Sequence, residues 1–240
     1  MQPQSRILGL IPARENSKGI PGKNLKALGG RPLLAHAVEC ARRTPGIDRV
    51  VVSTDSESIA ATAREWGAET PFIRPPALAT DTSPMIDVIT HAIHALAAAG
   101  WAPDIVVLLQ PTAPFRRWED IAAGLVLLES DHSADSVVAV EAVPDHYSPH
   151  FVMKIEDGRL SSFLPDGARL TRRQDAPRAY SRNGQFYITR ARRLFETRSI
   201  YGVVSRPFVT THPAVNLDDP KDWADAVELL ARNERLAHGD

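Results

Sequence analysis

The 240-residue chain has one cysteine, Cys40, so no disulfide can form within it, and a reducing, cytoplasmic setting is the expectation. It has no apolar run approaching the roughly 18–20 residues that span a bilayer; the N-terminal apolar stretch extends only from Ile7 to Ala13, so no membrane partner is expected. Neither sign of charge is in excess. With 28 Lys and Arg against 29 Asp and Glu, the net charge is −1, which disfavours a long nucleic acid and suits any local basic cluster to a small anion. The sequence also lacks GxSxG, HExxH, CxxC and GxGxxG, the marks of serine hydrolases, zinc enzymes, thiol redox centres and dinucleotide sites. His91 and His94 share a helical face but have no third ligand nearby, so a metal there is not expected.

What is present is a full core. Hydrophobic residues make up 43% of the chain, enough for one domain spanning residues 1–240. Apolar runs at Ile7–Ile11, Val50–Ser53, Ile105–Leu109 and Val137–Val140 predict strands buried on both faces, hence a mostly parallel sheet. Between and after them, helical patterns cover Pro32–Arg43, Ser56–Trp66, Pro84–Ala99, Trp118–Glu129 and Pro220–Ala231, several opened by proline or a capping residue. The fold class is therefore α/β: three layers, with helices on both faces of the sheet. The pattern breaks over residues 144–182, which carry Arg159, Arg169, Arg172, Arg173, Arg178 and Arg182. So long an interruption reads as an inserted arm, a lid or dimerisation element, or else as a solvated flap.

The first strand runs into a loop that gathers Arg14, Lys18, Lys23 and Lys26 around Gly19, Pro21 and Gly22. Glycines let backbone N–H groups approach an anion, and the cations neutralise it, so the loop suits a polyphosphate. It is not a P-loop, because Ser17 and Asn24 stand where that motif needs glycine and Ser or Thr. A kinase or ATPase of that type is thereby disfavoured.

In an open parallel sheet, the loops after the strands share one surface. Ser53-Thr54-Asp55 is expected to cap the following helix. Gln110, held before Pro111-Thr112-Ala113-Pro114, offers an amide either to a ligand or to neighbouring backbone. Asn216-Leu217-Asp218-Asp219 precedes a helix, and Asp218 and Asp219 cannot both cap it. A hard oxygen cluster there suits Mg²⁺, which takes one or two carboxylates plus substrate phosphates, and nucleotidyl or phosphoryl transfer follows as the chemistry.

Five motifs in order, ARENSKGIPGKN, RPPALATD, LLQPTAPFR, RRQDAPRAYSRNGQFYI and NLDDPKDW, resemble the acylneuraminate cytidylyltransferase (CMP-sialic acid synthetase) family over nearly the whole chain. The resemblance implies a Rossmann-like nucleotidyltransferase fold and a reaction of CTP with a nine-carbon 2-keto-3-deoxy sugar acid, giving a CMP-sugar and pyrophosphate with Mg²⁺. It implies that Arg14 and Lys23 hold the triphosphate and stabilise the transition state, that Asn24 holds the nucleotide, and that Arg74 and Ser83 assist. Gln110 and Tyr187 would contact the sugar, and Arg173 would act at the site. Asp218, with Asn216 and Asp219, would carry the metal. Asn216 departs from the family's first metal aspartate, which favours one metal over two. In similar enzymes the arm is exchanged within a homodimer. Legionaminic, pseudaminic or Kdo acid as substrate, and a non-catalytic nucleotide-binding homologue, are the alternatives.

Overall fold

The computed structural model describes residues 5–165, 172 and 176–238. In chain order the elements are β1 (Ile7–Pro12), the short pair β2 (Ala27–Leu28) and β3 (Arg31–Pro32), α1 (Leu33–Arg43), β4 (Arg49–Ser53), α2 (Glu57–Glu65), α3 (Met85–Ala98) and β5 (Ile105–Leu108). There follow α4 (Trp118–Ser130), β6 (Ser136–Ala142), the hairpin β7 (Met153–Glu156) and β8 (Arg159–Ser162), β9 (Tyr180–Arg190), α5 (Ala191–Thr197), β10 (Ser205–Val209) and α6 (Pro220–His238).

The main sheet has the order β10-β6-β9-β5-β1-β4. β1 lies parallel to β4 and β5, and β6 parallel to β10, while β9 runs antiparallel between β5 and β6. The four expected strands and five expected helices are all present. The expectation missed β9, β10 and α5, and the short strands β2, β3, β7 and β8 outside the main sheet. β10 is an edge strand, which accommodates Pro207 because one side of its backbone needs no ladder partner.

Alternation along the strands sorts the core into two layers. Ile7 and Ile11 of β1 face Leu34 and Val38 of α1, Ile59 of α2 and Leu125 of α4. Leu8 and Leu10 face the other way, among Ile89, Ile93 and Leu96 of α3 and Leu194 of α5. Each such fully buried aliphatic side chain contributes about 1.5–3 kcal/mol relative to exposure. A third cluster, Ile20, Leu28, Leu33, Leu217, Trp223 and Ala226, lies under the loops rather than the sheet. It fixes the loop after β1 and the loop before α6 to the same apolar support.

Within residues 144–182 the structure shows a turn at Asp145–Tyr147 and the separate two-stranded β7–β8 sheet; residues 180–182 already belong to β9. Arg169 and Arg173 lie outside the described residues.

Candidate active site

β1, β4 and β5 are parallel, so Pro12, Ser53 and Leu108 end at one edge of the sheet. Loops at that edge, those after β1 and β5, the one between α2 and α3 and the one between β10 and α6, enclose a cleft of about 330 Å³ lined by Arg14, Lys18, Lys23, Asn24, Arg74, Ser83, Gln110 and Asp218. Seven of the residues expected from sequence therefore meet there, drawn from four separate loops. Lys18 joins them. It belonged to the basic loop but was not singled out, because nothing in its local sequence separates it from Lys26, whose ammonium instead lies over the Trp223 ring at 4.2 Å.

The loop after β1 is held by its own groups. Asn24, buried, donates from Nδ2 to the Arg14 carbonyl at 2.8 Å, so much of its side chain shapes the loop. Lys23 donates to the Leu217 carbonyl at 2.6 Å and stands 4.0 Å from Asp218 Oδ1, with its side chain only 12% exposed. Burial lowers its pKa, opposed by the Asp218 charge and reinforced by Arg14. The ammonium is desolvated and aimed between the two loops, a placement in which an anion gains strongly from it.

Two carboxylates organise the other cations. Asp81 bridges Arg14 and Lys18, at 2.6 Å to each, and these hydrogen bonds, with Lys18 foremost, hold its carboxyl below the usual range. Asp55 accepts the Glu15 backbone N–H at 3.0 Å and lies 3.7 Å from the buried Arg74 guanidinium. The expected capping role for Asp55 is thus corrected: α2 begins after Ser56, and Asp55 joins the loop after β1 to Arg74 instead. Arg74 is 3% exposed and its pKa is lowered, chiefly by burial. Ser83 accepts the Thr80 N–H at 3.0 Å and donates to the Ala77 carbonyl, closing the loop that carries Asp81.

The loop before α6 divides its acidic residues by task. Asp219 accepts the N–H groups of Lys221 and Asp222 at 2.8 and 3.0 Å, and Asp222 accepts those of Asp218 and Asp219. Asp219 thus caps the helix through Oδ1, a structural task that the expected metal role did not include. Asp218 faces the cleft, and the Asn216 amide donates to it at 2.8 Å. Among the described residues no cluster of three or more His, Cys, Asp or Glu could hold a metal by itself. One carboxylate and one amide oxygen beside a basic cleft is a donor set that fits Mg²⁺ completed by anionic oxygens of a ligand.

Tyr187 does not line the cleft. It is 8% exposed and packs in the core layer with Leu108 and Ile89, burial raising its pKa. Strand pairing explains this: Tyr187 is paired with both Leu108 and Val138 in the sheet. The sugar contact that the resemblance implies for Tyr187 is thus not made from within this cleft. Asn183–Phe186, just before it, form a bulge between residues facing Val138 and Val140, with Gly184 at φ +71.

Residues 8–216 match the family described as Cytidylyltransferase. The chain is 33% identical over 232 residues to the CMP-N,N'-diacetyllegionaminic acid synthase of Legionella pneumophila subsp. pneumophila, covering 95% of this chain and 98% of that one. It is 29% identical over 234 residues to an N-acylneuraminate cytidylyltransferase of Escherichia coli O18:K1:H7, covering 97% of this chain and 54% of the relative. Among solved structures, CMP:2-keto-3-deoxy-manno-octonic acid synthetase complexed with CTP superposes with a TM-score of 0.70 at 20% identity, covering 95% of this chain and all of that one, which shows the shared fold. With the nucleotide-sized basic cleft at the sheet edge and a family match across most of its length, the chain belongs to the cytidylyltransferase family.

Proposed function

We propose that the protein activates a nonulosonic acid: the anomeric hydroxyl of a 2-keto-3-deoxy sugar acid attacks the α-phosphorus of CTP, forming a CMP-sugar and releasing pyrophosphate. The observation that carries this reading is the cleft in which Arg14, Lys18, Lys23 and Arg74 face Asp218 and Gln110. Arg14, Lys18 and Lys23 would hold the triphosphate and neutralise the charge that grows on the phosphoryl oxygens as pyrophosphate leaves. Arg74 and Ser83, which line the same cleft, would meet the nucleoside. Gln110 would orient the sugar with its amide, and Arg173, outside the described residues, is proposed as a partner for the sugar carboxylate. Mg²⁺, held by Asp218 and Asn216, would supply Lewis-acid stabilisation of the phosphate oxygens.

A homodimer is part of the proposal. Met153, Ile155 and Leu160, on one face of the β7–β8 hairpin, are 47%, 74% and 66% exposed, an apolar surface of the kind a second copy covers. No helix among the described residues is long and apolar enough to cross a membrane. Cytoplasmic residence is proposed from the cysteine usage.

The test is Mg²⁺-dependent pyrophosphate release from CTP with N-acetylneuraminate, Kdn, legionaminate, pseudaminate and Kdo in turn. Release with a nine-carbon acid and none without sugar supports the reading; release with Kdo alone transfers it to the eight-carbon class. CTP binding without release across the panel overturns it in favour of a non-catalytic nucleotide-binding protein.

A further inference from the structure

Arg116 is 6% exposed, and among the described residues no carboxylate pairs with it. A buried guanidinium of that kind is costly, and residues that keep one use its fork of donors. Here the fork joins two backbone carbonyls. Nε donates to Gln185 at 2.8 Å, and one Nη donates to Gln110. The other Nη has no partner among the described residues.

Both carbonyls belong to segments that shape one half of the cleft. Gln110 lines the cleft. Thr112, two residues on, accepts the Leu217 N–H at 2.8 Å, so this loop also holds the segment that carries Asp218. Gln185 lies in the bulge of β9 beside Gly184, where a β-carbon would stand 3.3 Å from Asn216 Oδ1. Through two hydrogen bonds, one side chain therefore fixes the distance between the Gln110 loop and the wall against Asn216. The loop after β1, with Arg14 and Lys23, makes no hydrogen bond to Arg116 among the described residues. We propose that Arg116 is a positioning residue for the sugar-acid side of the site, setting the placement of Gln110 while making no direct contact with the loop after β1.

The inference rests on the cytidylyl-transfer reading for its kinetic test. Arg116→Lys keeps the charge but offers one nitrogen where two carbonyls need separate donors. It is expected to raise KM for the sugar acid about tenfold while leaving the Kd of CTP within about twofold. Equal loss of CTP and sugar-acid binding, or a lowered Tm with both constants unchanged, overturns the proposal. Hydrogen exchange of the Arg116→Lys protein separates this from failure of the functional reading. If the wild type is silent with every sugar acid, faster exchange confined to residues 110–116 and 183–187 still supports the positioning role, and exchange raised throughout the sheet overturns it.

Discussion

A β-carbon on Gly19 would lie 1.9 Å from the carbonyl oxygen of Asp218. The obstructing atom is backbone, so it cannot rotate aside as a side chain could. The loop after β1 and the loop before α6 therefore touch at a point only glycine permits, and Ile20, Leu217 and Trp223 seal the contact from below.

Gly19→Ala is accordingly expected to separate the triphosphate cations from Asp218. The strain should cost about 1–3 kcal/mol of stability, by analogy with overpacked cores. Activity should fall much further, about a hundredfold or more in kcat/KM, because misplacement by an ångström removes aligned charge from the transition state. Thermal unfolding and steady-state kinetics check the two parts separately. Wild-type turnover in a stably folded variant would refute the coupling of the two loops.

The phosphate loop was legible in the sequence because a buried strand must end somewhere, and the cations after Ile7–Ile11 had no core to join. Gln110 was legible for the same reason. The carboxylate work was hidden: Asp55 and Asp81 engage partners distant in sequence, and Asp55 sits where a helix cap is ordinarily found. The burial of Tyr187 was not legible because strand β9 runs antiparallel, begins with the polar Tyr180-Ser181-Arg182 and carries a bulge, so no clean alternation marked it as core. Within Asp218-Asp219 the two side chains are chemically identical, and only the backbone donors of Lys221 and Asp222 show which is the cap.

That division gives a second prediction. Asp219→Ala removes the acceptor for two N–H groups at the start of α6 and should lower stability by about 1 kcal/mol. Its Mg²⁺ requirement for pyrophosphate release should stay near that of the wild type. Asp218→Asn should do the opposite, keeping stability while raising the Mg²⁺ concentration for half-maximal release about tenfold or more. Denaturant unfolding and Mg²⁺ titration of both proteins give the four values. A larger metal effect from Asp219 than from Asp218 would reverse the assignment.

Asp81 gives a third. Its carboxylate takes up both Arg14 and Lys18, the cations a triphosphate needs. An incoming nucleotide must replace one set of ion pairs by another, so the carboxylate competes with the phosphate. Asp81→Asn removes the competing charge and preserves size, and should tighten binding of CTP and of pyrophosphate about threefold to tenfold at low ionic strength. The pairs are partly exposed, so the advantage should shrink as salt screens them, and the two proteins should converge in affinity above roughly 0.5 M salt. Calorimetric titration at two salt concentrations measures this directly. Weaker CTP binding by Asp81→Asn would mean that the carboxylate holds Arg14 and Lys18 in their binding positions more than it obstructs them.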